Sequence, residues 1–135
     1  MSERLLICVV DDDHGLRLSL EDLLLGAGHD SGLYASAEAF LDSPQCDTCD
    51  CVISDLRMPG MGGLEMLRRL RARRAVPVVM ISAHATPALH DEALRCGAAC
   101  LLRKPFRPDA LLAAMQAAMA GPGRGPDRDR DPRPG

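Results

Sequence analysis

Four short runs of consecutive apolar residues limit the folds open to this chain: LLICVV (5–10), CVIS (51–54), VPVVMIS (76–82) and ACLL (99–102). A weaker fifth run is SGLYA (31–35). A strand with one wet face alternates apolar and polar residues. Runs without alternation belong to strands covered on both faces, as in a parallel sheet. Helical patterns fill the gaps. Leu16, Leu20, Leu23 and Leu24 recur at helical spacing, with Gly26 and Gly28 as the stop. Ser36 is placed to cap a helix carrying Phe40 and Leu41. Leu64, Leu67 and Leu70 form a stripe opposed by Arg68, Arg69, Arg71, Arg73 and Arg74, which reads as a solvated helix face and end. A fourth helix carries Leu89, Ala93 and Leu94 and stops at Gly97. A fifth starts near Pro108 and buries Leu111, Leu112, Met115 and Met119. Five βα units in succession predict an α/β fold, a doubly wound five-stranded parallel sheet with right-handed crossovers.

The totals agree with a single domain. A body of about 120 residues buries roughly two thirds of its unfolded surface, enough for a core without staples. Aromatic residues make up only 2% of the chain, so the core must be aliphatic and base stacking on aromatic platforms is not expected. Residues 1–120 hold 12 bases and 16 acids, and the whole chain is at −3, so direct nucleic-acid binding by this domain is not expected. No apolar stretch has the roughly 20 residues needed to span a bilayer. Nothing at the N-terminus is ordered like a signal peptide, and the expected location is the cytoplasm. Of the six cysteines, Cys46, Cys49 and Cys51 crowd together in CDTCDC. The separated pairs of a structural zinc site are missing. Cys8 and Cys51 read as small buried hydrophobes on strands. From Gly121 the sequence GPGRGPDRDRDPRPG has no apolar anchor and is expected to be a disordered tail or linker over 121–135.

In open sheets of this kind ligands sit beyond the carboxyl ends of the strands. The first run stops at Asp11, Asp12 and Asp13; the third strand ends at Asp55, the fourth at Ser82, and the fifth leads to Lys104. Asp13 is expected to cap the following helix. Carboxylates gathered within a few ångströms repel unless a cation intervenes, and an all-oxygen set suits Mg²⁺. Asp11, Asp12 and Asp55 are therefore the candidate metal ligands. Lys104 is the only lysine beside 15 arginines. It supplies a compact ammonium where a planar fork would fit poorly. Ser82 offers a hydroxyl, and small Ala83 beside it leaves the site open. A carboxylate nucleophile, a divalent cation, an ammonium and a hydroxyl are what phosphoryl transfer onto an aspartate requires.

Together VVDDD, SDLRMPGMGG, ISAH and RKPF resemble, in order and spacing, the receiver domain of two-component response regulators, over residues 4 to 120. The likeness is nearest to receivers that begin nitrogen-fixation-type transcriptional regulators. The resemblance implies a flavodoxin-like (βα)₅ fold with strand order 2-1-3-4-5 and a receiver domain over 1–120. It implies that Asp55 accepts phosphate from a sensor histidine kinase. Asp11, Asp12, the Asp55 carboxylate and the Arg57 main-chain carbonyl would hold Mg²⁺, and Ser82 and Lys104 would bind the phosphoryl oxygens. The Lys104–Pro105 bond would be cis. The surface of the fourth helix, fifth strand and fifth helix would serve self-association or an output partner. Arg57 and His84, each two residues beyond a site residue, are positioned to modulate phosphate lifetime. One departure concerns the switch position three residues before the lysine, where relatives carry an aromatic and this chain has Leu101. Another is that no helix-turn-helix module follows, so a stand-alone receiver and the N-terminal part of a transcriptional regulator both remain open.

Three other readings compete. An aspartyl-phosphate phosphohydrolase needs a second carboxylate two residues after the nucleophile, where Arg57 stands. A nucleotide or flavin binder needs a Gly-rich loop after the first strand, where there are carboxylates. A phosphorylation-independent interaction module has no need of the acid, serine and lysine set. The expected protein is a phosphoacceptor switch, not an enzyme.

Overall fold

The computed structural model describes residues 4–120. Along the chain run β1 (Leu6–Val10), α1 (His14–Gly26), β2 (Asp30–Tyr34), α2 (Ala37–Leu41) and a 3-10 helix (Pro44–Asp47). They are followed by β3 (Cys51–Asp55), α3 (Gly63–Arg73), β4 (Val78–Ser82), α4 (Pro87–Arg95), β5 (Cys100–Arg103) and α5 (Pro108–Ala120). The strands form one sheet in the order β2-β1-β3-β4-β5, and every pairing is parallel. The proposed tail at 121–135 lies outside the described residues.

Two apolar layers explain the unalternating runs. In β1, Ile7 and Val9 face one core while Cys8 and Val10 face the other, and all four are fully buried. The first layer joins Ile7, Val9, Cys51, Ile53, Val79 and Ile81 to Leu20 and Leu24 of α1 and Leu111 and Met115 of α5. The second joins Cys8, Val10, Val52 and Met80 to Phe40 of α2, Met66, Leu67 and Leu70 of α3 and Ala93 of α4. A buried side chain of the size of Leu24 or Ile53 contributes about 1.5–3 kcal/mol by leaving water.

Local chemistry sets the element ends. The Asp13 carboxylate accepts the Leu16 N–H at 3.2 Å and caps α1. Gly28, at φ 89°, turns the chain after that helix. Ser36 caps α2 by accepting the Ala39 N–H at 3.1 Å. Thr86 caps α4 in the same way, through Leu89 N–H at 3.2 Å, with Pro87 in the first turn. The fourth strand begins later than its apolar run, because Pro77 has no N–H to pair; its carbonyl instead accepts the Val52 N–H.

Three local expectations are corrected. Leu94 is 40% exposed, and only Ala93 of the α4 stripe is fully covered. Leu112 and Met119 of α5 are half-buried rather than enclosed. Arg74 does not belong to the solvated arginine face. It ends α3 and turns inward, its Nη1 donating to the carbonyls of Cys46 at 3.2 Å and Cys49 at 2.9 Å.

Candidate functional site

The strand register brings the predicted groups to one edge. Val10 pairs with Ser54, so β1 and β3 end level and deliver Asp11 and Asp55 side by side. Asp55 pairs with Ile81, and Ser82 with Arg103, which places Ser82 at the end of β4 and Lys104 just past β5 along the same edge. The Lys104 N–H donates to the Ser82 carbonyl at 2.8 Å, and the Lys104–Pro105 peptide is cis, as expected.

Asp11 is fully buried and fully engaged. Its Oδ1 accepts the Asp13 N–H at 2.9 Å, and its Oδ2 lies 3.0 Å from Lys104 Nζ. Asp55 is 8% exposed, with its Oδ2 at 3.5 Å from the same ammonium. Asp12 is exposed, yet it offers an oxygen within 4.8 Å of oxygens on Asp11 and Asp55. Lys104 thus spans the two buried acids, and the third acid stands in solvent beside them.

Burial pushes the Asp55 carboxyl above its usual range, and the neighbouring Asp11 charge adds to the rise; Lys104 and the Arg57 N–H oppose it. Burial pulls Lys104 down, but its bond to Asp11 and the charges of Asp11 and Asp55 outweigh it, and its pKa is raised. The site holds more negative charge than one ammonium can balance. Three carboxylate oxygens within reach of one another, two on buried side chains and one facing water, form a hard-oxygen donor set suited to a divalent cation that keeps part of its hydration.

The remaining predicted residues take these places. Ser82 is 1% exposed, and its Oγ accepts the His84 N–H at 3.0 Å, which closes the loop after β4. Arg57 and His84 are exposed at the rim. Arg57 donates its N–H toward Asp55 Oδ1 at 3.5 Å. Leu101 is 7% exposed and packed into the α2–α3–α4 core layer. Two supporting residues escaped the sequence reading. Arg17 Nη1 donates to the Asp11 carbonyl at 2.7 Å, holding the end of β1 in place. Glu38 Oε2 accepts the Met61 N–H at 3.0 Å, tying the loop after Asp55 to α2. Arg17 lies in the first turn after the acids, where a reach back was foreseeable. Glu38 is 23 residues from its partner, and nothing local announces it.

The family model for the response regulator receiver domain matches residues 7–116. The chain belongs to this family. As a receiver domain of two-component systems it is 40% identical over 114 residues to the transcriptional regulatory protein FixJ of Bradyrhizobium diazoefficiens. That match covers 84% of this chain and 56% of the relative. To the response regulator protein TodT of Pseudomonas putida it is 35% identical over 121 residues, covering 88% of this chain and 53% of the relative. The receiver therefore spans about half the length of the curated relatives it matches. Among solved structures, full-length FixJ from B. japonicum superposes with a TM-score of 0.79 at 38% identity, covering 88% of this chain and 59% of that one. The chemotaxis response regulator CheY4 of Vibrio cholerae gives a TM-score of 0.79 at 28% identity, covering 86% and 99%. A flavodoxin-like sheet with the order read from the resemblance is what these receivers share. Among the described residues, no helix is long and apolar enough to cross a membrane.

Proposed function

We propose that this receiver, residues 1–120, is a Mg²⁺-dependent phosphoacceptor switch with Asp55 as the acceptor. The observation that carries the reading is Lys104 Nζ standing 3.0 Å from Asp11 and 3.5 Å from Asp55, with Asp12 beside them. Asp11, Asp12, the Asp55 carboxylate and the Arg57 main-chain carbonyl would hold the cation. When bound, Mg²⁺ neutralises charge on the acceptor and on the phosphoryl group. An Asp55 oxygen attacks phosphorus in the phosphohistidine of a sensor kinase; an O–P bond forms and the N–P bond breaks. Lys104 shifts from the two carboxylates toward a phosphoryl oxygen. Ser82 turns its hydroxyl from the His84 N–H to donate to another.

Phosphorylation adds close to two negative charges and new acceptor oxygens at the end of β3. Movement of Ser82 and its loop passes to the α4–β5–α5 face, which takes a second copy or an output partner. Leu101 has neither ring nor hydroxyl, so this readout rests on the loop. Arg57 and His84 at the rim set phosphate lifetime by admitting or shielding water; unchanged dephosphorylation in Arg57→Ala and His84→Ala would remove that role. The domain is an acceptor rather than a turnover enzyme, since Arg57 occupies the place where a phosphohydrolase needs its second carboxylate. It works in the cytoplasm with a histidine kinase, contacts no nucleic acid itself, and belongs either to a free receiver or to a longer transcriptional regulator.

Acetyl phosphate with MgCl₂, followed by intact-mass measurement, tests the reading. One phosphoryl group is expected on the wild type and none on Asp55→Asn. No adduct on the wild type, or undiminished labelling of Asp55→Asn, rejects it. Lys104→Arg is expected to keep the adduct while losing phosphorylation-dependent partner binding, because a fork does not fit a point-charge site.

A further inference from the structure

The loop that leaves β3 runs from Leu56 to Gly62, and both of its feet are pinned. Leu56 donates its N–H to the Ile81 carbonyl at 2.9 Å, and the Gly63 N–H returns to the Leu56 carbonyl at 3.0 Å. Between the feet the chain has little to hold it. Pro59 has no N–H to give, and Gly60 sits at φ 78°, where other residues are strained. Met58 is buried and fixes the middle of the loop by apolar contact. Among the described residues, one hydrogen bond reaches residues 58–61 from another element: the Met61 N–H donates to Glu38 Oε2 at 3.0 Å.

Glu38 is well placed for that bond. It lies in the first turn of α2, between Ala37 and Phe40, which are fully buried and fasten the helix to the core. The Phe40 ring meets the Tyr34 ring edge-on, with centroids 5.5 Å apart. Ser36 already caps this helix, so the Glu38 carboxylate is not needed there. The fit to the loop is close: a Cβ on Gly60 would lie 2.8 Å from the same Oε2. Positive φ and close approach thus select glycine at one position, and the loop tip is shaped around this carboxylate.

The loop carries Arg57, one residue past the Leu56 foot, whose main-chain carbonyl belongs to the ligand set of the phosphoacceptor reading. No N–H of the described residues is bonded to that carbonyl, so its lone pairs are left for a cation. Asp11 and Asp55 are placed by the strands they end. A carbonyl on a loop has no such support, and a ligand that is not held beforehand makes binding supply the entropy of ordering it.

We propose that Glu38 is a positioning residue for the cation site: through Met61 it holds the β3–α3 loop in the form that presents the Arg57 carbonyl to Mg²⁺. The inference rests on the reading of Asp11, Asp12, Asp55 and Arg57 as ligands. Partners standing behind a metal ligand change affinity by about 10–100-fold when removed. Glu38 is exposed, and water weakens its hold, so the low end applies.

The full chain carrying Glu38→Ala or Glu38→Gln tests this by two measurements. Glu38 is exposed, so neither change empties the core. Amide hydrogen exchange in EDTA reads the loop without any metal: the Met61 N–H should exchange roughly fivefold faster in Glu38→Ala. Calorimetric titration with MgCl₂ should show affinity about tenfold weaker in that variant. Glu38→Gln keeps an acceptor oxygen and removes the charge, so it should stay within about threefold of wild type in both. Unchanged exchange in Glu38→Ala would overturn the proposal, as would faster exchange with undiminished Mg²⁺ affinity, which leaves the bond a local tie only. A Gln variant as weak as the Ala variant would also overturn it, since the charge and not the bond would then matter. A wild type that binds no Mg²⁺ rejects the phosphoacceptor reading and this inference together; normal binding in all three chains rejects this inference alone.

Discussion

Replacing Lys104 by Met tests the electrostatics of the site most directly. The substitution keeps an unbranched side chain one atom shorter and removes the charge that sits 3.0 Å from Asp11 and 3.5 Å from Asp55. At an effective dielectric of about 20, each contact is worth about 5 kcal/mol before desolvation. Removing one partner of a buried pair costs about 3–5 kcal/mol, because the other charge stays buried and uncompensated. The Lys104 side chain keeps 22% of its exposure while Asp11 keeps none. Water softens part of the loss, so the low end of that range is expected, about 3 kcal/mol, or roughly 10 °C in melting temperature.

The pH dependence gives this prediction its discriminating power. In the wild type the raised pKa of Lys104 means that its stabilisation is whole below its unfolded value of 10.5 and is lost as pH rises through the higher folded value. At neutral pH nothing of it is missing. In Lys104→Met the acids have no counter-charge, and protonating Asp55 relieves the repulsion. The deficit relative to wild type should shrink as pH falls from about 7 to about 5. Magnesium should also narrow it, since binding to the folded state at 100 times its dissociation constant adds about 2.7 kcal/mol, and the ammonium no longer competes for the same oxygens. Urea unfolding at both pH values, with and without MgCl₂, reads all of this. A variant as stable as wild type at neutral pH would refute the reasoning, as would a deficit indifferent to both pH and magnesium.

Four further substitutions separate neighbouring roles. Asp55→Asn should raise the melting temperature at neutral pH. A carboxyl with a raised folded pKa contributes stability only while protonated and loses it as pH rises above its unfolded value of 3.8, so the variant's thermal scans should also be flatter with pH; an unchanged or lower melting temperature counts against the assignment of strain to this acid. Asp13→Ala should cost about 1 kcal/mol through the lost cap while leaving Mg²⁺ affinity by titration unchanged, and a weakened affinity would make Asp13 a ligand instead. Gly63→Ala should destabilise by about 1–3 kcal/mol, because its Cβ would collide with the Asp55 carbonyl oxygen and lie 2.7 Å from Met80 Cε. Gly26→Ala, with nothing within 4 Å, should gain a few tenths to about 1 kcal/mol; the opposite ranking in chemical denaturation would refute the packing argument.

How far the sequence reveals this molecule depends on how far apart the cooperating residues lie and on what brings them together. Asp11, Asp55, Ser82 and Lys104 are distant in the chain, yet each follows an apolar run, and parallel pairing puts the ends of such runs on one edge whatever the loops do. That rule needs only strand positions, so the site was legible. Asp13 and Ser36 were legible for a simpler reason, since a cap and its N–H partner are three residues apart. The cysteines obey no such rule. CDTCDC places Cys51 beside Cys46 and Cys49 in the chain, but Cys51 enters β3 and packs into the α1–α5 layer, while Cys46 and Cys49, with Cys8 of β1, lie in the layer on the other side. Strand alternation sends Cys51 and Val52 to opposite faces. The choice therefore turned on where β3 begins, and the 3-10 helix before it, signalled only by Pro44, shifts that start. Arg74 was misread for a related reason. Helical spacing assigns its neighbours Arg68, Arg69 and Arg71 to solvent, but α3 stops at Arg73, and the residue after the last turn is free to point elsewhere. Buried carbonyls of Cys46 and Cys49 need a donor. At the end of α3 an arginine turned back toward the sheet can supply one, where the same residue one turn earlier would have stayed in water.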